Sequence, residues 1–149
     1  MPKVLISDKL SPAAVQIFKD RGIEVDFKPG LSPADLRAII GDYDGLAVRS
    51  ATKVTRELME AAPKLKVVGR AGIGVDNVDI NTATARGVVV MNTPFGNAIT
   101  TAEHAIAMMF ALARQLPDAS TSTKAGKWEK NRFMGVELYG KTLGLIGCG

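Results

Sequence analysis

Strand-like and helix-like segments alternate five times across the first 91 residues, and few folds accept that rhythm. Short, largely apolar runs lie at 3–7, 46–50, 65–68 and 88–91, and residues 23–27 alternate apolar and charged with the period of a strand. Between them stand helix signals. Ser11-Pro12 and Ser32-Pro33 each put a capping hydroxyl before a proline at the first helical position, Thr55 introduces a third helix, and residues 78–86 read as a fourth. In the first helix Ala14, Val15, Ile17 and Phe18 make a broad apolar face. Connections of this length suit parallel crossovers better than hairpins, so residues 1–91 are expected to form a doubly wound α/β domain.

In such sheets ligands sit beyond the carboxyl ends of the strands. Four polar strand ends fall there: Ser7-Asp8, Arg49-Ser50, residues 70–74 and Asn92-Thr93-Pro94. The third is the most pointed, because the run VVGRAGIGVDNVD at 67–79 breaks an apolar strand into glycines with Arg70 between them. Glycine exposes bare backbone N–H groups, and arginine adds a planar fork of donors for a carboxylate or phosphate. The spacing G-x-x-G-x-G matches neither the dinucleotide fingerprint nor a Walker A loop. A plain strand-to-loop turn would explain the glycines alone; two arginines directly after two apolar strands favour an anion site.

Composition narrows the function classes. With 46% apolar residues and no apolar run of membrane-spanning length, the chain reads as a soluble globular protein. The N-terminus lacks a signal-peptide pattern and the one cysteine, Cys148, excludes an internal disulfide framework, which together predict a cytoplasmic protein. Net charge is +4, but the cations are interleaved with acids and aromatics are few, so nucleic-acid binding is disfavoured and an acidic metabolite is the better match.

After Met91 the pattern changes, and residues 92–149 are expected to form a separate part. Turn residues at 92–97 precede a long helix, with Thr100 and Glu103 spaced as a capping box, that is apolar nearly all round. It suits either a second core or a subunit interface. His104, the sole histidine, has no metal-ligand partners at suitable spacing and reads as a packing or surface residue, so no metal site is expected. Residues 116–140 are polar and read as an irregular segment, either a solvated loop or a flap whose cations and Trp128 reach an anionic ligand or a neighbouring subunit. Residues 141–149 then read as a strand running into Gly147-Cys148-Gly149, the first half of a dinucleotide fingerprint, which predicts a piece of a longer protein.

As a set, VRSATKVT at 48–55, VVGRAGIGVDNVD at 67–79, VVVMNTPFGN at 88–97, GKWEKNRFMGVEL at 126–138 and GKTLGLIGCG at 140–149 resemble the D-isomer-specific 2-hydroxyacid dehydrogenases. The resemblance spans essentially the whole chain and implies a flavodoxin-like domain followed by the start of a Rossmann domain. It implies NAD-dependent oxidation of 3-phosphoglycerate at its 2-hydroxyl, a step of serine biosynthesis, in a longer enzyme that works as a homodimer or higher oligomer through the helix after Thr100. By the same resemblance Arg49, Ser50 and Arg70 bind the anionic substrate, and the N–H groups of Ile73 and Gly74 take its carboxylate. Ile73 also stands beside the nicotinamide, Asn97 and Thr101 face the cleft at the hinge, and Gly147 and Gly149 serve the cofactor. The family's catalytic arginine, acid and histidine match nothing here, so these 149 residues are expected to be inactive alone. The competing expectation is a non-catalytic, flavodoxin-like module that binds a carboxylated or phosphorylated metabolite.

Overall fold

The computed structural model describes residues 1–147, which fall into two compact units, Met1–Asn97 and the part from Ala98 onward. The first unit runs β1 (Lys3–Ile6), α1 (Pro12–Asp20), β2 (Glu24–Phe27), α2 (Pro33–Ile39), β3 (Gly45–Val48), α3 (Arg56–Glu60), β4 (Val67–Arg70), α4 (Ile80–Ala85) and β5 (Val89–Met91). All five strands are parallel, in the order β2-β1-β3-β4-β5. That is the flavodoxin-like order, whose direction reverses between β1 and β3.

The helix signals act as read. Ser11, Ser32, Thr55 and Asp79 are the N-caps of α1 to α4, each accepting a backbone N–H of the first turn. Strand alternation then sorts the core. Leu5, Leu46, Val48 and Val68 point to one face, where they pack with Leu36, Leu58, Met59 and Ala83 of α2, α3 and α4. Arg70, paired with Val48, occupies the last position on that same face. The opposite face is thinly covered, because α1 buries none of its residues and Ile17 is 55% exposed. The broad apolar face expected of α1 is therefore only partly packed within this unit.

At the amino ends of the strands a polar clip fastens the sheet. The Tyr43 hydroxyl donates to Asp26 at 2.6 Å, Lys3 Nζ pairs with Glu24 at 2.8 Å and Asp26 at 3.2 Å, and the Lys3 N–H donates to Asp44. Burial and the Asp26 carboxylate push the Tyr43 phenol up to about 12.

Sequence places a boundary after Met91, whereas the compact units divide after Asn97. The intervening turn is tied back to the first unit: the Thr93 N–H donates to the Gly72 carbonyl at 2.9 Å and Asn92 Nδ2 to the Ile73 carbonyl at 2.7 Å.

The second unit contains α5 (Ala98–Ala113) and α6 (Leu116–Lys124). Three expectations need correction here. Helix α5 starts at Ala98, two residues before Thr100, so Thr100 lies inside the first turn and is not the cap. Residues 116–124 are helical, not irregular, because Pro117 sits in the first turn with Asp118 beside it and the Thr121 hydroxyl donates to the Pro117 carbonyl. Residues 141–147 form no strand, since a strand is satisfied by a neighbouring ladder and this unit offers none among its described residues. Along α5 only Ala113 is buried, while Ile106, Met108 and Phe110 are each about half exposed and Leu112 more so.

From within α6 the Ser122 hydroxyl donates to Glu129 at 2.6 Å, and the chain beyond folds back so that the Val136 N–H caps the Ala113 carbonyl at 2.9 Å. Gly135 makes this return, with φ +63° and room for no side chain, because a Cβ there would stand 2.5 Å from the Ala113 oxygen. Strain and overlap together give an expected cost of about 2–4 kcal/mol for Gly135→Ala. The variant should lose exchange protection across α5 and α6 with the first unit's amides unchanged; unaltered protection would contradict the packing.

Candidate functional site

The carboxyl ends of the strands build a rim from groups distant in sequence. Asp8, directly after β1, is 5% exposed, and its carboxylate accepts the Arg49 N–H at 2.6 Å, the Thr52 N–H at 3.2 Å and the Thr52 hydroxyl at 2.7 Å. The hydroxyls of Ser7 and Thr52 lie 2.9 Å apart. Because the single Thr52 hydroxyl hydrogen goes to Asp8, Ser7 is the donor in that contact. From the other side Asn77 Nδ2 donates to the carbonyls of Arg49 and Thr52, each at 2.7 Å. The backbone that launches Arg49 and Ser50 is thus fixed on both flanks, while their side chains remain exposed. The Arg49 guanidinium makes one long contact, to the Lys9 carbonyl at 3.5 Å.

Burial works to raise the Asp8 carboxyl, and the Thr52 hydroxyl with the N–H groups of Arg49, Thr52 and Ala51 outweighs it, so its pKa lies below the usual carboxylate value. A depressed folded pKa contributes stability above the unfolded value of ~4 and loses it as pH falls through the folded value. Asp8→Ala is expected to cost about 3 kcal/mol at neutral pH by stranding these donors. It should also flatten the acid limb of the stability profile. Equal acid limbs in chemical-denaturation series of the two proteins would contradict this account.

The glycine loop after β4 is organised by its arginine. Arg70 is largely buried, and its Nη1 donates to the Gly74 carbonyl while Nη2 faces the exposed Asp76 carboxylate at 3.8 Å. Arg70 Nε is buried with no hydrogen-bond partner among the described residues. A Cβ on Gly72 would stand 2.9 Å from Nη1, so Gly72 lies close against the guanidinium, while one on Gly74 would meet the Asp76 carboxylate at 3.0 Å and Nη1 only at ordinary contact distance. Neither has a positive φ, so the reason for glycine here is close approach and not backbone conformation.

The loop's carbonyls are occupied: that of Gly72 by the Thr93 N–H, that of Ile73 by Asn92, and that of Gly74 by Arg70. The N–H groups of Ile73 and Gly74 make no hydrogen bond among the described residues. A rim of open donors with its acceptors tied down, flanked by Arg49 and Arg70, is chemically fitted to an anionic oxygen.

Of the other residues singled out from sequence, Asn97 ends the first unit, and Thr101 (exposed, on α5) and Gly147 belong to the second. Gly147 lies in irregular chain, and Gly149 is outside the described residues. The described residues therefore form no cradle for a dinucleotide pyrophosphate, which needs a helix N-terminus after the glycines. Sequence reasoning placed Asp8 and Asn92 at the rim as strand-end residues without reading their partners, and it did not single out Thr52 or Asn77. Asn77 follows the glycine loop as a short amide beside a turn, the one local signal that could have flagged it.

Comparison with known proteins places this geometry in a family. Residues 4–139 match the family model for the D-isomer specific 2-hydroxyacid dehydrogenase catalytic domain. A D-3-phosphoglycerate dehydrogenase of Archaeoglobus fulgidus is 52% identical over 147 residues, covering 99% of this chain and 28% of the relative. Among solved structures, a Thermus thermophilus protein superposes with TM-score 0.81 at 30% identity, covering 91% of this chain and 45% of its own. An NAD+-bound 3-phosphoglycerate dehydrogenase of Entamoeba histolytica superposes with TM-score 0.68 at 33% identity, covering 76% of this chain and 39% of its own. The chain spans 28% of the length of the Archaeoglobus relative.

Proposed function

The chain belongs to the D-isomer-specific 2-hydroxyacid dehydrogenase family, and from that premise we propose that it is the substrate-holding part of an NAD-dependent D-3-phosphoglycerate dehydrogenase. The reaction is oxidation of D-3-phosphoglycerate to 3-phosphohydroxypyruvate in L-serine biosynthesis, carried out in the cytoplasm. On this reading residues 1–91 are the substrate domain and residues 92–149 carry the hinge, a subunit-contact helix and the first part of the NAD-binding domain. The exposed apolar side chains of α5 support homo-oligomer formation through that helix.

The observation that carries the proposal is the loop at 72–74, whose carbonyls are all engaged while the N–H groups of Ile73 and Gly74 stay open. These two N–H groups take the substrate carboxylate. Arg70, with an unpaired buried Nε–H, supplies a charge-assisted hydrogen bond to the same anion, and Arg49 with Ser50 meets the other anionic end. Asn97 and Thr101 border the bound substrate and cofactor, and Ile73 offers an apolar side chain to the nicotinamide. NAD supplies the hydride acceptor in the whole protein. Its pyrophosphate site is proposed to include Gly147 and Gly149 once a following helix is present. This chain's own work is to bind the substrate and fix its orientation.

The test is a chimera in which these 149 residues replace the matching stretch of the Archaeoglobus fulgidus relative. It should oxidise D-3-phosphoglycerate with NAD. A folded, NAD-binding chimera without that activity would reject the substrate assignment, and retained anion binding in it would favour a non-catalytic binding module.

A further inference from the structure

Asn77 is fastened twice, once by its backbone and once by its side chain. The Val54 N–H donates to the Asn77 carbonyl at 2.8 Å and the Asp79 N–H to the Val54 carbonyl at 3.0 Å, with Val54 and Val78 paired as a parallel bridge. That bridge alone joins the segment after Arg49 to the end of the glycine loop. The side chain adds a second fastening nearer the rim, where Nδ2 commits both of its hydrogens to the carbonyls of Arg49 and Thr52 at 2.7 Å each. The second fastening is costly. Asn77 Oδ1 is buried with no hydrogen-bond partner among the described residues, and turning the amide over gives no relief because it would set the oxygen against two carbonyls.

The residue on which this amide acts is Arg49. Asp8 accepts the Arg49 N–H at 2.6 Å and Asn77 donates to its carbonyl, so both polar groups of its backbone are held. Its side chain is exposed, and the guanidinium has only the long contact to the Lys9 carbonyl. An arginine so loosely held at its tip takes its direction from its backbone. Asn77 also follows closely on Gly74 in the chain, so one side chain links the limb that launches Arg49 to the loop that presents the Ile73 and Gly74 N–H groups.

We propose that Asn77 is a positioning residue that keeps Arg49 in register with the glycine loop, and that it thereby makes the site selective for a 2-hydroxy acid carrying a second anionic group over the same acid without one. This rests on the substrate reading above, in which the loop takes the carboxylate while Arg49 and Ser50 meet the other anionic end. Two anionic groups of one small molecule are held together only when the two sets of donors keep a fixed separation, which is preorganisation in its simplest form. Without the amide the loop still receives a carboxylate, but Arg49 loses its aim, and the second anionic group no longer adds to binding.

The test is titration of the nitrogen-15-labelled 149-residue chain with D-3-phosphoglycerate and with D-glycerate, which has the carboxylate and the 2-hydroxyl but no phosphate. Asn77→Ala is expected to weaken D-3-phosphoglycerate by about tenfold while D-glycerate changes by less than about twofold. Arg49→Gln should weaken D-3-phosphoglycerate to a similar degree, and in that background Asn77→Ala should add less than about twofold, as expected of a residue that acts through another. Retained exchange protection at the Val54 and Asp79 amides verifies that the backbone bridge survives. Asn77→Ser, which keeps one hydroxyl donor, takes the place of the alanine variant if that protection is lost. Equal weakening of both acids, or additive effects of the Asn77 and Arg49 substitutions, would mean that Asn77 only supports the loop and would overturn the proposal. Absence of saturable shifts at Ile73 and Gly74 with D-3-phosphoglycerate in the unsubstituted chain would instead overturn the substrate reading, and this proposal with it.

Discussion

Mixed with NAD and D-3-phosphoglycerate, the 149-residue chain alone is expected to reduce the cofactor at less than about one hundredth of the rate of the Archaeoglobus chimera, because positioning and proton transfer each supply several kcal/mol of such a barrier. Hydride transfer requires the nicotinamide held against the substrate carbon and a base within hydrogen-bond reach of the hydroxyl. His104, the chain's one histidine, is exposed on α5 in the second unit, remote in sequence from the glycine loop. The described residues near Gly147 are irregular and offer no helix N-terminus with the aligned N–H groups that hold a pyrophosphate. The check is absorbance of the reduced nicotinamide, with both proteins at equal concentration. Turnover by the chain alone above that hundredth would mean its own residues carry the chemistry, and the assignment of substrate holding as its sole task would fall.

Replacing Arg70 by Ala in the chimera is expected to raise the apparent KM for D-3-phosphoglycerate by about tenfold or more, the equivalent of one charge-assisted hydrogen bond. The guanidinium is wrapped by its own loop, with Gly72 against it and the Gly74 carbonyl as its acceptor. Arg70→Ala therefore deletes a ligand contact and also frees that carbonyl, so both the affinity and the aim of the Ile73 and Gly74 N–H groups suffer. Arg70→Lys should recover little, because an ammonium cannot fill the same planar slot beside Gly72. Full affinity in a folded Arg70→Ala protein would remove Arg70 from the site.

Much of the first unit was legible in the sequence because its signals are local. Ser11 and Ser32 cap helices whose starts can be read from a hydroxyl and a proline, Thr55 caps a third by its hydroxyl alone, and the apolar runs of β1, β3 and β4 carry the strand signal. The rim was legible as a set of strand ends, since parallel topology sends them all to one side. Its wiring was not. Asp8 meets Arg49 and Thr52 across more than 40 residues because β1 lies beside β3, and Asn77 reaches Arg49 across 28 because β3 lies beside β4, pairings that no local pattern sets. Helix α6 was missed because serine, threonine and lysine after Leu116-Pro117 imitate a loop, and propensity there yields to a proline in the first turn and a side-chain bond from Thr121 to the Pro117 carbonyl. Residues 141–147 erred the other way: their apolar run carries the strand signal, but a strand exists only where a ladder receives it.

The proposal rests on two open N–H groups, and the direct measurement is a titration of the nitrogen-15-labelled chain with D-3-phosphoglycerate. The Ile73 and Gly74 amides should give the largest saturable downfield shifts, with smaller movements at Arg49 and Ser50, and Arg70→Ala should weaken the curve by about tenfold or more. Saturable binding that leaves the Ile73 and Gly74 amides in place would contradict the claim that this loop holds the substrate carboxylate.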